Sequence, residues 1–248
     1  MKKCWANSLG NCEGGMSREH YVSKSLFNSP EVEIKGLGWC KDEAKRIGIE
    51  SATAKILCQR HNNDLSELDT AASDFMKSIH EHIRLSNIRR RLKPKPVHVV
   101  RLQVNAKRLE RWLLKVLLNL AFEGPHLVGP TGKEPGIPPD DLVETVFGLR
   151  SFLCNAGLYV GVHLGMHLDM DDKLQYMPLV QQGRITGGLF RVAGVMFHLN
   201  LLPEGIVIPF HKIQGLDFDW QITDLKWRFG KIKSMHGKYL SHVIEFKW

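Results

Sequence analysis

From Leu65 to Ile83 the apolar residues recur at steps of three and four: Leu65, Leu68, Ala72, Phe75, Met76, Ile79 and Ile83. That spacing places them on one stripe of a helix. Asn63 stands where an N-cap accepts a hydrogen bond from a free N–H of the first turn. Arg89, Arg90, Arg91 and Lys93 complement the C-terminal end of the dipole, and Pro94 and Pro96 stop the helix. A helix is therefore predicted over 64–93. A second stripe, Leu109, Trp112, Leu113, Val116, Leu117 and Leu120, predicts a helix capped by Asn105, whose other face carries Lys107, Arg108, Glu110, Arg111, Lys115 and Asn119. The stretch 124–139 is rich in Pro and Gly and reads as a loop, followed by a further helix over 140–153. Strands are predicted at 97–104, 158–170, 174–180, 189–199, 205–210 and 239–248. Helices and strands in separate runs point to an α+β fold with a largely antiparallel sheet.

Residues 1–63 show little sustained periodicity. A segment so poor in apolar pattern needs a staple such as a metal to fold. The predicted organisation is an N-terminal finger over 1–75, a connecting helix over 64–93 and a C-terminal α+β accessory domain over 97–248, able to form a homo-oligomer.

The chain has 248 residues, with 34 Lys and Arg against 26 Asp and Glu, a net charge of +8. A basic surplus favours a polyanionic partner but carries no fold information. The longest apolar-rich stretch, Leu189 to Leu202, is broken by Arg191 and His198, so no span of about 20 apolar residues exists. Lys2 and Lys3, with no apolar run behind them, do not make a signal peptide, and a cytoplasmic protein is expected. Of the five cysteines, Cys4, Cys12, Cys40 and Cys58 cluster early and Cys154 stands apart. An odd count in a reducing compartment points to metal rather than disulfides.

Three pieces belong together: Cys4 with Cys12; Ser17-Arg18-Glu19-His20-Tyr21-Val22-Ser23-Lys24; and Leu57-Cys58-Gln59-Arg60-His61-Asn62-Asn63-Asp64-Leu65-Ser66. This arrangement resembles the HNH endonucleases, whose catalytic unit is the ββα-metal or His-Me finger. The resemblance covers about residues 1–75. It implies a metal-dependent endonuclease that hydrolyses phosphodiester bonds, with DNA a more fitting substrate than RNA. His20 would be the general base, since imidazole titrates near neutrality. Glu19 and Asn62 would hold a catalytic Mg²⁺ or Mn²⁺ at the leaving oxygen, with Asn63 the second choice. Cys4, Cys12, Cys58 and His61 would hold a structural Zn²⁺. Arg18, Lys24 and Arg60 would neutralise phosphates. Members of this kind occur in mobile elements and in anti-phage defence.

The pattern departs from the family in three ways. Seven residues separate Cys4 from Cys12, and His20 lies 38 residues before Cys58, across an insertion that contains Cys40 as an alternative to Cys12. His61 fits either the zinc or the catalytic metal; zinc is preferred, because Cys58 otherwise lacks a partner at knuckle spacing. The middle Asn of the motif has no counterpart in 49–56. Two rival readings follow: a zinc-stapled nucleic-acid-binding module that does not cut, and a C-terminal ligand-sensing or dimerising domain that gates the finger. His163 and His167 with Asp169, Asp171 and Asp172 read as the polar face of a strand, and Cys154 as a buried thiol.

Overall fold

The structure is a computed structural model that describes residues 4–27, 29–35, 40, 43–162, 168, 174–204 and 224–248. Four short strands come first: β1 (Met16–His20), β2 (Glu31–Ile34), β3 (Lys45–Gly48) and β4 (Thr53–Cys58). Helices α1 (Gln59–Asp64) and α2 (Ser66–Arg90) follow, then β5 (Val100–Asn105), α3 (Ala106–Ala121), β6 (Leu127–Val128) and α4 (Asp140–Val146). The rest is strand: β7 (Gly157–Val162), β8 (Leu174–Gln181), β9 (Arg184–Val192), β10 (Val195–Asn200), β11 (Asp224–Trp227), β12 (Lys231–His236) and β13 (Tyr239–Lys247). The fold is α+β with mostly antiparallel pairing. Among the described residues no helix is long and apolar enough to cross a membrane.

The chain forms two compact units, neither of them one stretch of sequence. The first gathers Met1–Ala72, Arg111–Ser151 and Pro178–Thr186; the second gathers Ser73–Glu110, Phe152–Met177 and Gly187–Trp248. The prolines at 94 and 96 fall inside the second unit, and residues beyond 97 contribute to both.

In the first unit β1 and β4 pair antiparallel, from Met16 opposite Cys58 to His20 opposite Thr53, with a register shift between Ser17 and Glu19. The β2–β3 hairpin lies between them in sequence. These strands correct the expectation of an irregular 1–63: each is too short to display a period. The helical run also begins earlier than expected. Cys58 is extended (φ −74°, ψ 163°) and its Sγ accepts the His61 N–H at 3.4 Å, so Cys58 is the N-cap and Asn63 lies inside α1. Asn105 does cap α3, its Oδ1 accepting the Arg108 N–H at 3.1 Å. Yet α3 is not half solvated: Glu110, Lys115 and Asn119 are buried along with Trp112 and Leu117. Helix α4 is shorter than expected, ended by Gly148 at φ +75°.

In the second unit β10 pairs with β7 and β9, and β11 joins β7. The stretch expected as one strand over 189–199 is a hairpin. Ala193 (φ 49°) and Gly194 (φ 78°) turn the chain between β9 and β10. Two consecutive positive φ values match the twist of a tight hairpin, and Ala in the first position disguised it. A second sheet sets β13 antiparallel to β12 and parallel to β5. Phe75 meets Phe197 and Phe246 with ring centroids 5.5 and 6.4 Å apart. Cys154 is exposed, not buried. The strand expected over 205–210, residues 163–167, 169 and 170 of the strand expected over 158–170, and the set His163, His167, Asp169, Asp171 and Asp172 lie outside the described residues.

The second unit also buries two histidines against each other. The rings of His82 and His242 are 4.3 Å apart, and His242 meets Ser86 and Ser241 hydroxyls at 3.1 and 2.9 Å. Burial, then the neighbouring His242, pushes His82 down from 6.5 to about 4; burial lowers His242 as well. The folded state then binds fewer protons than the unfolded state, so stability is full above pH 6.5 and is lost as pH falls towards 4. The thermal midpoint is expected to drop across that window, and His82→Leu to flatten the drop. A profile parallel to wild type would contradict this.

Candidate metal centre

Two loops and a helix start bring four side chains together. Trp5 N–H donates to the Ile56 carbonyl at 3.0 Å, which lays Cys4 beside the end of β4. A 3-10 turn over Asn7–Leu9 follows, and Gly10 (φ 70°) and Asn11 (φ 49°) reverse the chain to return Cys12. The seven-residue gap is thus filled by a turn. The carbonyls of Glu13 and Gly15 then accept the N–H groups of Arg60 and Gln59, at 3.3 and 2.9 Å. This fixes the loop on the first turn of α1, which presents Cys58 and His61 one turn apart.

The ligand atoms of Cys4, Cys12, Cys58 and His61 all lie within 4.8 Å of one another. Cys4 Sγ and Cys12 Sγ are 3.3 and 3.7 Å from His61 Nδ1. Bonds of about 2.0–2.3 Å around a tetrahedral zinc set its ligand atoms roughly 3.5–4 Å apart. The donor set and spacing fit, and the cluster could hold a metal ion such as zinc. Cys12 is the cysteine in the cluster; Cys40 is buried outside it.

The imidazole is prepared for this role. His61 Nε2 lies 2.9 Å from Asn11 Oδ1, an acceptor, so Nε2 carries the proton and Nδ1 turns its lone pair to the sulfurs. Burial lowers His61, favouring the neutral, ligating form. Phe147 packs edge-on against the ring at 5.4 Å. Burial pushes the Cys4 thiol up to about 12 and raises Cys12. At Cys58 burial is outweighed by backbone hydrogen bonds from His61 and Glu13, and its thiol is lowered. A cation among the three sulfurs offsets the cost of ionising them in a buried place.

The Glu19–His20 step divides between two environments, because successive strand residues face opposite ways. Glu19 is buried, and its Oε1 meets Lys115 Nζ at 2.7 Å. Lys115, 2 % exposed, also reaches both oxygens of Asp69 at 3.0 and 3.1 Å. Asp69 accepts the Ser23 hydroxyl, and Ser23 Oγ accepts the Trp112 N–H at 2.6 Å. Burial raises the Glu19 carboxyl while Lys115 opposes that. Removing one partner from a buried pair costs about 3–5 kcal/mol, because the other charge is left unpaired. Glu19 is thus committed to the interior and does not fit as a ligand of a catalytic metal.

His20 ends β1 with its side chain 24 % exposed, its Nε2 3.8 Å from Glu50 Oε2. Its carbonyl accepts Asn119 Nδ2 at 3.2 Å, and Asn119 Oδ1 accepts the Trp5 indole N–H at 3.1 Å. Asn62 donates to Ser17 Oγ at 2.6 Å, so it stands at the other end of β1, on the order of 10 Å along the strand. Arg18 is exposed on β1. Lys24 pairs with Glu50, and Arg60 with Glu13 at 3.7 Å. Sequence reasoning missed Asn11, Glu50, Lys115 and Asn119. Only Lys115 and Asn119 carried a signal, a polar pair four apart in the otherwise apolar run from Trp112 to Ala121.

One zinc per chain is expected by elemental analysis. Cys40→Ser should retain it, whereas Asn11→Ala should weaken zinc affinity about 10- to 100-fold by freeing the His61 tautomer. Full zinc in Cys12→Ser would overturn the ligand set. Comparison of the chain with protein-family models, with curated proteins and with solved structures finds no match.

Proposed function

We propose that the first unit is a metal-dependent endonuclease of HNH type that hydrolyses phosphodiester bonds of DNA. The observation that carries the reading is the order of elements around the cluster. The antiparallel β1–β4 pair runs directly into α1, with Cys58 and His61 at that junction and His20 at the far end of the pair. A strand–strand–helix unit with a stapled base is the frame that the motif implies. Preference for DNA over RNA comes from the resemblance alone.

In this reading His20 takes the proton of the attacking water as the bond to phosphorus forms. Its partial exposure leaves the ring reachable, and the Asn119 bond to its carbonyl keeps the strand end in place. When bound, Mg²⁺ or Mn²⁺ would supply charge stabilisation at the leaving oxygen; Asn62, the ligand that the resemblance names, stands on the order of 10 Å along β1 from His20 and does not meet it in this arrangement. Glu19 has no part in the reaction; it anchors β1 through Lys115. Arg18 meets phosphate, and the +8 charge makes binding salt-sensitive. One observation favours a second reading, a zinc-stapled module that binds nucleic acid without cutting: the acidic member of the Glu–His step is locked in a buried pair.

Plasmid DNA with Mg²⁺ or Mn²⁺ decides between them. Wild type is expected to nick it, and His20→Ala to lose about 10²–10⁴ in rate with zinc and DNA binding retained. Equal cleavage by the variant removes His20 from the mechanism. No cleavage by a zinc-loaded, DNA-binding wild type selects the binding module.

A further inference from the structure

We propose that Glu50, which lies outside the motif, is the positioning residue of His20: its carboxylate accepts a hydrogen bond from Nε2–H and leaves Nδ1 to face the water. The inference rests on the nuclease reading for its kinetic consequence, but its geometry stands apart from that reading.

Three observations converge on Glu50. First, His20 Nε2 is buried and has no hydrogen-bond partner within reach, while the Glu50 carboxylate faces it at 3.8 Å. A buried ring nitrogen without a partner is costly, and a modest approach by the carboxylate satisfies it. Second, Glu50 sits on a turn that is itself fastened to the end of β1. Ile49 N–H donates to the Pro30 carbonyl at 2.8 Å, Ala52 N–H to Ile49 at 3.0 Å, and Tyr21 N–H to Ala52 at 3.2 Å. Thr53, the residue paired with His20, adds a hydroxyl bond to the Glu50 carbonyl at 3.4 Å. Third, the carboxylate is steered from its far side by the Lys24 ammonium, on the 3-10 turn over Lys24–Leu26. That contact holds the Glu50 carboxyl below the usual carboxylate range, so it remains an acceptor.

The backbone half of the histidine is already fixed, since Asn119 binds the His20 carbonyl. What remains to be set is the ring: which nitrogen carries hydrogen and which way the other points. A carboxylate on one imidazole nitrogen fixes the tautomer and directs the free nitrogen outward. Lys24, expected as a phosphate contact, belongs to this arrangement as the group that aims Glu50.

The test uses the zinc-loaded full chain. Glu50 is 67 % exposed, so its replacement is expected to leave zinc content and thermal midpoint unchanged. Nitrogen-15 spectra of the neutral His20 ring should show hydrogen on Nε2 in wild type and a mixture of tautomers in Glu50→Ala. Cleavage should lose roughly tenfold in kcat with KM unchanged, a smaller loss than His20→Ala, and Glu50→Asp should recover part of it. A wild type protonated on Nδ1, or a tautomer untouched by Glu50→Ala, overturns the inference. A wild type that never cuts overturns the nuclease reading instead and leaves the tautomer result to judge Glu50.

Discussion

Three thiols and an imidazole within 4.8 Å of one another, mostly out of water, are a costly arrangement for a protein to build without a cation among them. Burial drives the Cys4 thiol up to about 12 and lowers His61, favouring its neutral form. A divalent ion reverses the first cost and uses the second. The geometry of the N-terminal segment follows from satisfying this one constraint. The 3-10 turn after Cys4, the positive φ at Gly10 and Asn11, and the carbonyls of Glu13 and Gly15 on α1 all return Cys12 to the same point. Cys58 does two things, capping α1 with its sulfur and standing in the cluster, so the start of the helix and the position of the ligands are one decision.

A second set of polar contacts ties this base to β1. Asn119 holds the indole of Trp5, beside Cys4, and the carbonyl of His20. Lys115, one helical turn earlier, holds Glu19 and Asp69. Buried ion pairs add little net stability compared with apolar packing, but breaking one is expensive. Their effect here is to set β1 in one register against α3, with Glu19 turned inward and His20 turned towards the surface. The strand end that carries His20 is thereby specified by residues nearly a hundred positions later in the chain.

That distance explains what could be read beforehand. The stripe of α2 and α3 was legible because helical period is a local property, and the Cys58–His61 knuckle because four residues on one helix start must be near in space. The resemblance rightly prefers Cys12, but spacing leaves Cys40 open, since the choice depends on how a seven-residue gap folds. The fate of Glu19 was not legible: an acidic residue before a histidine looks the same whether it faces a metal or a lysine. Lys115 and Asn119 were visible only as a polar face, and a polar face carries no mark of whether water or a carboxylate lies beyond it. The hairpin at Ala193–Gly194 escaped because the apolar run continues through it and only Gly194 hints at the turn.

Three sulfurs and one nitrogen make the cluster a set that could hold a tetrahedral metal ion such as zinc. X-ray absorption at the zinc edge of the purified, zinc-loaded chain measures this directly. The expected shell is three sulfurs at about 2.3 Å and one nitrogen at about 2.0–2.1 Å. A first shell of oxygen and nitrogen alone, or two sulfurs in place of three, would contradict it.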